Sequence, residues 1–314
     1  MIIRQKSNVS DYVLYCILYM TTALSNKFVL SSLGFQYPTI FQAWQTFVSL
    51  VLVQMFSGNP LKHITLSEII PWSPAMLFYV TSIFSGSKAL AALPVPVFLL
   101  SHGVSDACLM LCDNHLPSGL THLSIPLKIS GLLLSLWSVM REATLLDIVW
   151  VVVYSISLGA YKSVGFWYTS PQWPYSGLTL AQRQYLNNLF GFLFLLPTAI
   201  LLGHHQDVHR DFPHLRKVNF YIGCFVSAVM GWAVKRKWAV ISGGFFNARI
   251  EMVQLLAKVT TLIASMHIYP LNHTILLWIS IFIGLSGDVL HIIGSLYEET
   301  EVPQHDMNDV LVGQ

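Results

Sequence analysis

An all-α integral membrane protein of about ten transmembrane helices is the fold class this sequence predicts, and three observations predict it. Of its 314 residues 54% are hydrophobic and only 10% charged, against roughly 25% charged in a soluble domain. The mean hydropathy is +0.59. Between Lys27 and Lys62, and again between Lys258 and Asp288, no Asp, Glu, Lys or Arg occurs, and each gap exceeds the ~20 residues a helix needs to cross a bilayer. Lipid offers the backbone no hydrogen bonds, so apolar runs of this length must be helical.

Taken in order, apolar runs bounded by Pro, Gly or charge fall near 11–33, 38–57, 70–91, 94–112, 123–140, 145–166, 182–203, 218–238, 243–268 and 272–296. The first follows a short polar segment with Arg4 and Lys6. It is too long, and too polar at its end, for a cleaved signal, so an uncleaved first helix is expected. The chain divides into a cytosolic N-terminal segment (1–10), a first five-helix repeat (11–140), a second (145–296) and an acidic cytosolic tail (297–314). Glu298, Glu299, Glu301, Asp306 and Asp309 with no apolar run make that tail solvated and disordered.

Arg4, Lys6, Lys62, Arg183, Lys235, Arg236 and Lys237 fall on one side of this topology, and Arg141, Arg210, Arg216 and Lys217 on the other. The excess predicts that both termini are cytosolic. His204, His205, His209 and His214 then lie in a lumenal surface loop, and their irregular spacing predicts no metal site. The net charge of +2 with scattered basic residues excludes a nucleic-acid binder. Cys16, Cys108, Cys112 and Cys224 all sit in apolar runs and read as buried thiols, with no disulfide framework.

The halves repeat. Tyr19 precedes Lys27 by eight residues in the first run, as Tyr154 precedes Lys162 in the sixth. Gln42, Gln45, Thr46 and Ser49 share offsets with Gln184, Asn187, Asn188 and Gly191, each set on one helical face. His102 and Asp106 in the fourth run correspond to the polar stripe Glu251, Gln254 and Lys258 in the ninth. With five helices per half, the second half enters the membrane from the opposite side, which is the inverted-repeat plan of many carriers.

Cations inside or at the edges of spans give the chemistry: Lys27, Lys88, Lys162, Arg249 and Lys258. Each costs roughly 2.5–3.5 kcal/mol at a helix centre, so such groups face a wet cavity and meet an anion. Inversion puts Lys27 toward the lumenal end and Lys162 toward the cytosolic end, where an anion could pass from one to the other. Unliganded lysines in a dry gate would make an empty carrier reluctant to turn over and so favour exchange.

From Leu24 the chain reads Leu-Ser-Asn-Lys-Phe-Val-Leu-Ser, followed by Gly34-Phe35, Tyr37-Pro38 and Gln45, which resembles the first two helices of nucleotide-sugar transporters. Ser87, Lys88, Leu90, Leu93, Val95 and Pro96 match a segment of the fungal Golgi GDP-mannose carriers, Tyr185-Leu186-Asn187-Asn188 is similar to their Phe-Tyr-Asn-Asn motif, and Glu251 to Lys258 lines up with Ser-Met-Val-Gly-Ala-Leu-Asn-Lys. The runs Tyr37 to Thr46 and Gly159 to Lys162 resemble the transmembrane protein 241 branch. The resemblance covers residues 12 to 295. It implies the drug/metabolite transporter fold and Golgi exchange of a cytosolic nucleotide sugar for a lumenal nucleoside monophosphate. Leu186, Gln254, Ala257 and His102-Gly103 depart from the GDP-mannose pattern, which puts UDP-N-acetylglucosamine first and GDP-mannose second as substrate.

Candidate roles follow. Lys258, Lys162 and Lys27 hold the diphosphate or form internal ion pairs with Asp106, Glu251 or Asp288. Asn187 and Asn188 can donate to and accept from a base edge. Gln42 and Gln45 address sugar hydroxyls or bond between helices. Lys88 and Tyr185 enter through their motifs. Glu251 shares the stripe of Lys258 and could tune it, couple a proton or form a structural salt bridge. His102 with Asp106 could instead be an acid/base pair of an intramembrane transferase, although no nucleophile motif accompanies them. The expected partners are the two nucleotides, the bilayer and a second copy in a homodimer, with no cofactor. A transport-inactive scaffold and a carrier of a smaller phosphorylated metabolite are the rival readings.

Overall fold

The computed structural model describes residues 8–62, 64–112, 119–169, 177–242, 248–269 and 274–312, and all side chains within them except at 112, 169 and 298–312. Every long element there is helical. The order is α1 (Val9–Lys27) running into a π-helical turn (Phe28–Ser32), α2 (Pro38–Ser57), α3 (Leu66–Ala92), α4 (Val95–Cys112), α5 (Gly119–Val139), α6 (Leu145–Thr169), α7 (Leu180–Leu201), a short α8 (His204–Asp211), α9 (Val218–Ser242), α10 (Ala248–Ile268) and α11 (Ile275–Val312). Eight of these are long and apolar enough to cross a membrane, so the protein is an all-helical, multi-pass membrane protein. The two long helices that miss this mark, α4 and α10, carry Asp106 and Lys258 of the candidate site.

Local chemistry sets several ends. Asn8 with Asp11 and Thr65 with Glu68 form reciprocal caps that start α1 and α3, and Thr179 with Gln182 does the same for α7. Pro38 opens α2, where its missing N–H costs nothing. The amide of Leu33 bonds the carbonyl of Phe28 at 2.9 Å, the i to i+5 bond that widens α1 into a π turn just after Lys27.

Contacts between helix ends fix the direction of each helix. Lys237 near the end of α9 pairs with Asp11 at the start of α1, and the ring of Trp72 early in α3 meets Tyr168 late in α6. Lys27 at the end of α1 meets the end of α3. The packing partners come in exchangeable sets: α3 lies on α6 as α9 lies on α1, α4 on α6 as α10 on α1, and α4 on α5 as α10 on α11, while α2 pairs with α7 and α5 with α11.

The α5–α11 contact is the tightest backbone approach. A Cβ on Gly131 would sit 2.6 Å from the Cα of Gly284, and one on Gly287 would sit 3.0 Å from the amide nitrogen of Lys128. Small residues at an interface let membrane helices close up, since packing rather than the hydrophobic effect holds them. Here that approach brings Lys128 of α5 against Asp288 of α11.

Three expectations differ from the structure. The His-rich loop contains a helix, α8, because Gly203 in the left-handed region (φ 73°) breaks α7, while Asp207 early and Arg210 late suit the new helix's dipole. α3 and α5 begin at Leu66 and Gly119, earlier than their prolines suggested; α3 accommodates Pro71 and Pro74, and α5 accommodates Pro126. The acidic tail, expected to be disordered, continues α11 as helical backbone through Val312, as glutamate's good helix propensity permits.

Gly131→Val should force α5 from α11 and lower stability by about 1–3 kcal/mol. The thermal unfolding midpoint in detergent reads this; an unchanged midpoint would mean that the two helices do not need their close approach.

Candidate functional site

Burying a charge is costly unless a partner is supplied, and the centre of the bundle supplies one for each of three lysines. Asp106 of α4 places Oδ1 2.5 Å from Nζ of Lys162 on α6 and Oδ2 3.2 Å from Nζ of Lys258 on α10. Lys258 also lies 3.2 Å from Oδ2 of Asp288 on α11, whose Oδ1 is 3.3 Å from Nζ of Lys128 on α5. Five helices are thus tied through two carboxylates. The side chains of Lys128 and Lys258 are only 1% and 9% exposed, whereas that of Lys162 is 24% exposed and forms the accessible end.

A second line of polar groups leaves this centre along α11. Nζ of Lys128 is 3.3 Å from Nδ1 of His291, Nε2 of His291 is 3.5 Å from Oε1 of Glu251, and Ser295 donates to Oε2 of Glu251 at 3.1 Å. Glu251, on α10 with Lys258, thus meets His291 and Ser295. Arg249 is exposed at the start of that helix.

His102, one turn before Asp106, is not an acid/base partner for it. Tyr19 of α1 and Tyr154 of α6 meet its two ring nitrogens at 2.8 and 2.7 Å. These are the two tyrosines that precede Lys27 and Lys162 by eight residues, so one imidazole joins α1 to α6.

Asn187 and Asn188 on α7 are buried, and each is engaged with aromatic neighbours. Trp72 donates to Oδ1 of Asn187 at 2.9 Å and its Nδ2 donates to Tyr161 at 3.0 Å, while Tyr79 donates to Oδ1 of Asn188 at 3.0 Å. Lys235 of α9 donates to the Tyr79 hydroxyl at 2.7 Å and stands 4.7 Å from its ring centre. The Arg183 guanidinium lies 5.5 Å over Trp72. Tyr161 and Lys162 are consecutive on α6, which thus contributes one residue to this aromatic wall and the next to the lysine network.

The remaining candidates lie apart. Lys27 caps α3, donating to the carbonyls of Leu90 and Leu93 at 2.9 Å each; a cation on a helix C-terminus contributes up to ~2 kcal/mol when partly buried. It borders a cavity of about 350 Å³ shared with Ser31, Ser32, Pro94, Glu142 and Tyr269. Gln42 donates to Ser87 at 2.6 Å, and Gln45 bonds Asn26 at 2.9 Å and also Ser227, which are contacts between helices. Lys88 is half-buried on α3 and feels Asp147 of α6. Tyr185 is half-buried on α7.

Sequence reasoning thus missed Lys128, His291, Tyr19, Tyr154, Tyr79, Trp72, Tyr161 and Lys235 as site neighbours. Lys128 had a signal, being a lone cation inside the apolar run 123–140. Tyr19 and Tyr154 carried the repeat spacing and Tyr161 lies in the Gly159 to Lys162 run, but Trp72 and Tyr79 had no signal, because apolar spans are full of rings and only the fold selects those that meet Asn187 and Asn188.

Lys162 and Lys258 are therefore not bare amines in a dry gate: each has a carboxylate partner. Asp288→Leu should leave Lys128 buried without a carboxylate partner and cost about 3–5 kcal/mol, most of which Lys128→Met in the same chain should restore. Thermal unfolding of the two variants in detergent measures this. A single variant as stable as the wild type would remove the ion pair from the account.

No family model matches the chain. The mouse UDP-N-acetylglucosamine transporter TMEM241 is 30% identical over 274 residues, covering 83% of this chain and 88% of its own. Its Xenopus laevis homolog is 26% identical over 288 residues (88% and 93%), and GDP-mannose transporter 2 of Emericella nidulans 22% over 239 (68% and 67%). A solved crystal structure is similar with a TM-score of 0.56 over 91% of this chain and 97% of its own at 12% identity, a likeness of fold alone. With a relative this similar over most of both lengths, the chain belongs to the nucleotide-sugar transporter family.

Proposed function

We propose that this protein is a Golgi carrier that exchanges a cytosolic nucleotide sugar, UDP-N-acetylglucosamine before GDP-mannose, for a lumenal nucleoside monophosphate. Two inverted five-helix repeats rock about a central anion site, and both termini face the cytosol. The observation that carries the reading is the Lys162–Asp106–Lys258 bridge: two lysines from two helices share one carboxylate at the bundle centre. A diphosphate offers more acceptors than that carboxylate and suits the same pair of amines.

The exchangeable packing of α3 on α6 and α9 on α1 supports the inverted repeat, as does His102 joining Tyr19 and Tyr154. The first substrate follows the mouse and Xenopus laevis relatives, which are named for UDP-N-acetylglucosamine. GDP-mannose stands second because fungal relatives carry that name. Base selection runs through the wall that Asn187 and Asn188 hold in place, with Tyr79 and Tyr161 as its rings. Lys27 and Lys88 stand outside the phosphate site: Lys27 closes the far mouth and Lys88 feels Asp147. Gln45 and Tyr185 border the route, and a homodimer is the assembly.

Counterflow in proteoliposomes preloaded with UMP or GMP, with labelled UDP-N-acetylglucosamine and GDP-mannose outside, tests this. UMP-stimulated uptake of the first sugar nucleotide is the expected result. Uptake without base preference would favour the smaller-anion carrier, and no uptake by folded protein the scaffold. Lys258→Met should cut uptake roughly 10- to 100-fold, the loss of a charge-assisted bond; full activity would displace the phosphates from this site.

A further inference from the structure

The charge balance of the central network has a consequence for transport. Lys128, Lys162 and Lys258 contribute three positive charges, and Asp106, Asp288 and Glu251 three negative ones. The cluster is already balanced before any anion arrives. Both oxygens of Asp106 are committed, Oδ1 to Lys162 and Oδ2 to Lys258. On the reading above, phosphate oxygens can reach those amines only by replacing this carboxylate.

The displaced carboxylate has little else to turn to. Lys162 and Tyr154 face it from α6 and Lys258 from α10; Lys128 of α5 and Asp288 of α11 lie beyond, held to each other. Tyr15 and Tyr19 face it from α1, and Tyr19 is taken by His102, which precedes Asp106 by one turn of α4. Among the elements packed on α4, α3 carries Lys88, which feels Asp147. A nucleotide sugar brings two ionised phosphates. A lone carboxylate beside that dianion, away from water, is disfavoured, and such a group neutralises by taking a proton.

We propose that the carrier binds one proton with each nucleotide sugar, Asp106 changing from carboxylate to carboxylic acid as the phosphates take over Lys162 and Lys258. The proton comes from water, no covalent bond to the substrate forms, and nothing is oxidised or reduced. The line Ser295, Glu251, His291, Lys128 and Asp288 joins this centre to the end where α11 finishes its membrane crossing and supplies titratable groups along the way. A returning nucleoside monophosphate that uses the same lysines carries a proton back, so exchange is proton-neutral. Net uptake without a counter-substrate moves a proton inward.

The test is isothermal titration of the detergent-solubilised full chain with UDP-N-acetylglucosamine at neutral pH, in buffers of different ionisation enthalpy. Its phosphates do not titrate there, so the dependence of heat on buffer counts protons taken by the protein. The expected count is close to one for the wild type and close to zero for Asp106→Asn. Binding with buffer-independent heat in the wild type overturns the proposal and leaves the carrier reading intact, whether or not the variant folds. A wild-type count near one that persists in folded Asp106→Asn moves the proton to another group and overturns the assignment to Asp106. Absence of binding removes the carrier reading and the proposal with it.

Discussion

A charge inside a bilayer-spanning bundle must bring its own counter-charge, and the architecture follows from that requirement. Asp106 and Asp288 answer it for Lys128, Lys162 and Lys258, and so draw α4, α5, α6, α10 and α11 to one point. The glycines at 131, 284 and 287 serve the same point, since side chains there would hold α11 away from α5 and Lys128 away from Asp288. Such pairs are weak evidence of stability in themselves, because desolvation offsets much of the attraction. Their value on the proposed function is that two amines are aimed at a site an anion could claim.

That arrangement changes how exchange is understood. Bare lysines would penalise the empty carrier and make exchange obligatory. On the proposed function, lysines already paired with Asp106 and Asp288 do not, so the empty carrier would meet a smaller electrostatic barrier and exchange would become a preference. Lys162, more exposed than Lys258, is where the proposed substitution of phosphate for carboxylate would begin. His102, one turn before Asp106, holds a hydroxyl from α1 and one from α6 on its ring, so a shift of α4 is felt by α1 and α6 together.

Much of this was legible in the residues. The apolar runs located nearly all the helices, because in lipid length and hydropathy leave the backbone few choices. Lys162 and Lys258 were readable as buried cations, and Asp106 and Asp288 as their possible partners. What was not legible was which partner each lysine takes, since that depends on crossings between helices distant in sequence. Lys27 illustrates this: its amine caps α3, and no hydropathy pattern announces which carbonyls a lysine meets. Asn187 and Asn188 were visible as polar residues in a span, but the rings they hold come from α3 and α6.

The central claim is that a diphosphate replaces a carboxylate between two lysines. A structure of the protein with UDP-N-acetylglucosamine bound tests it most directly. The account predicts phosphate oxygens within hydrogen-bond distance of Nζ of both Lys162 and Lys258, with Asp106 turned away from them. Diphosphate bound elsewhere, with both Asp106 ion pairs intact, would contradict it.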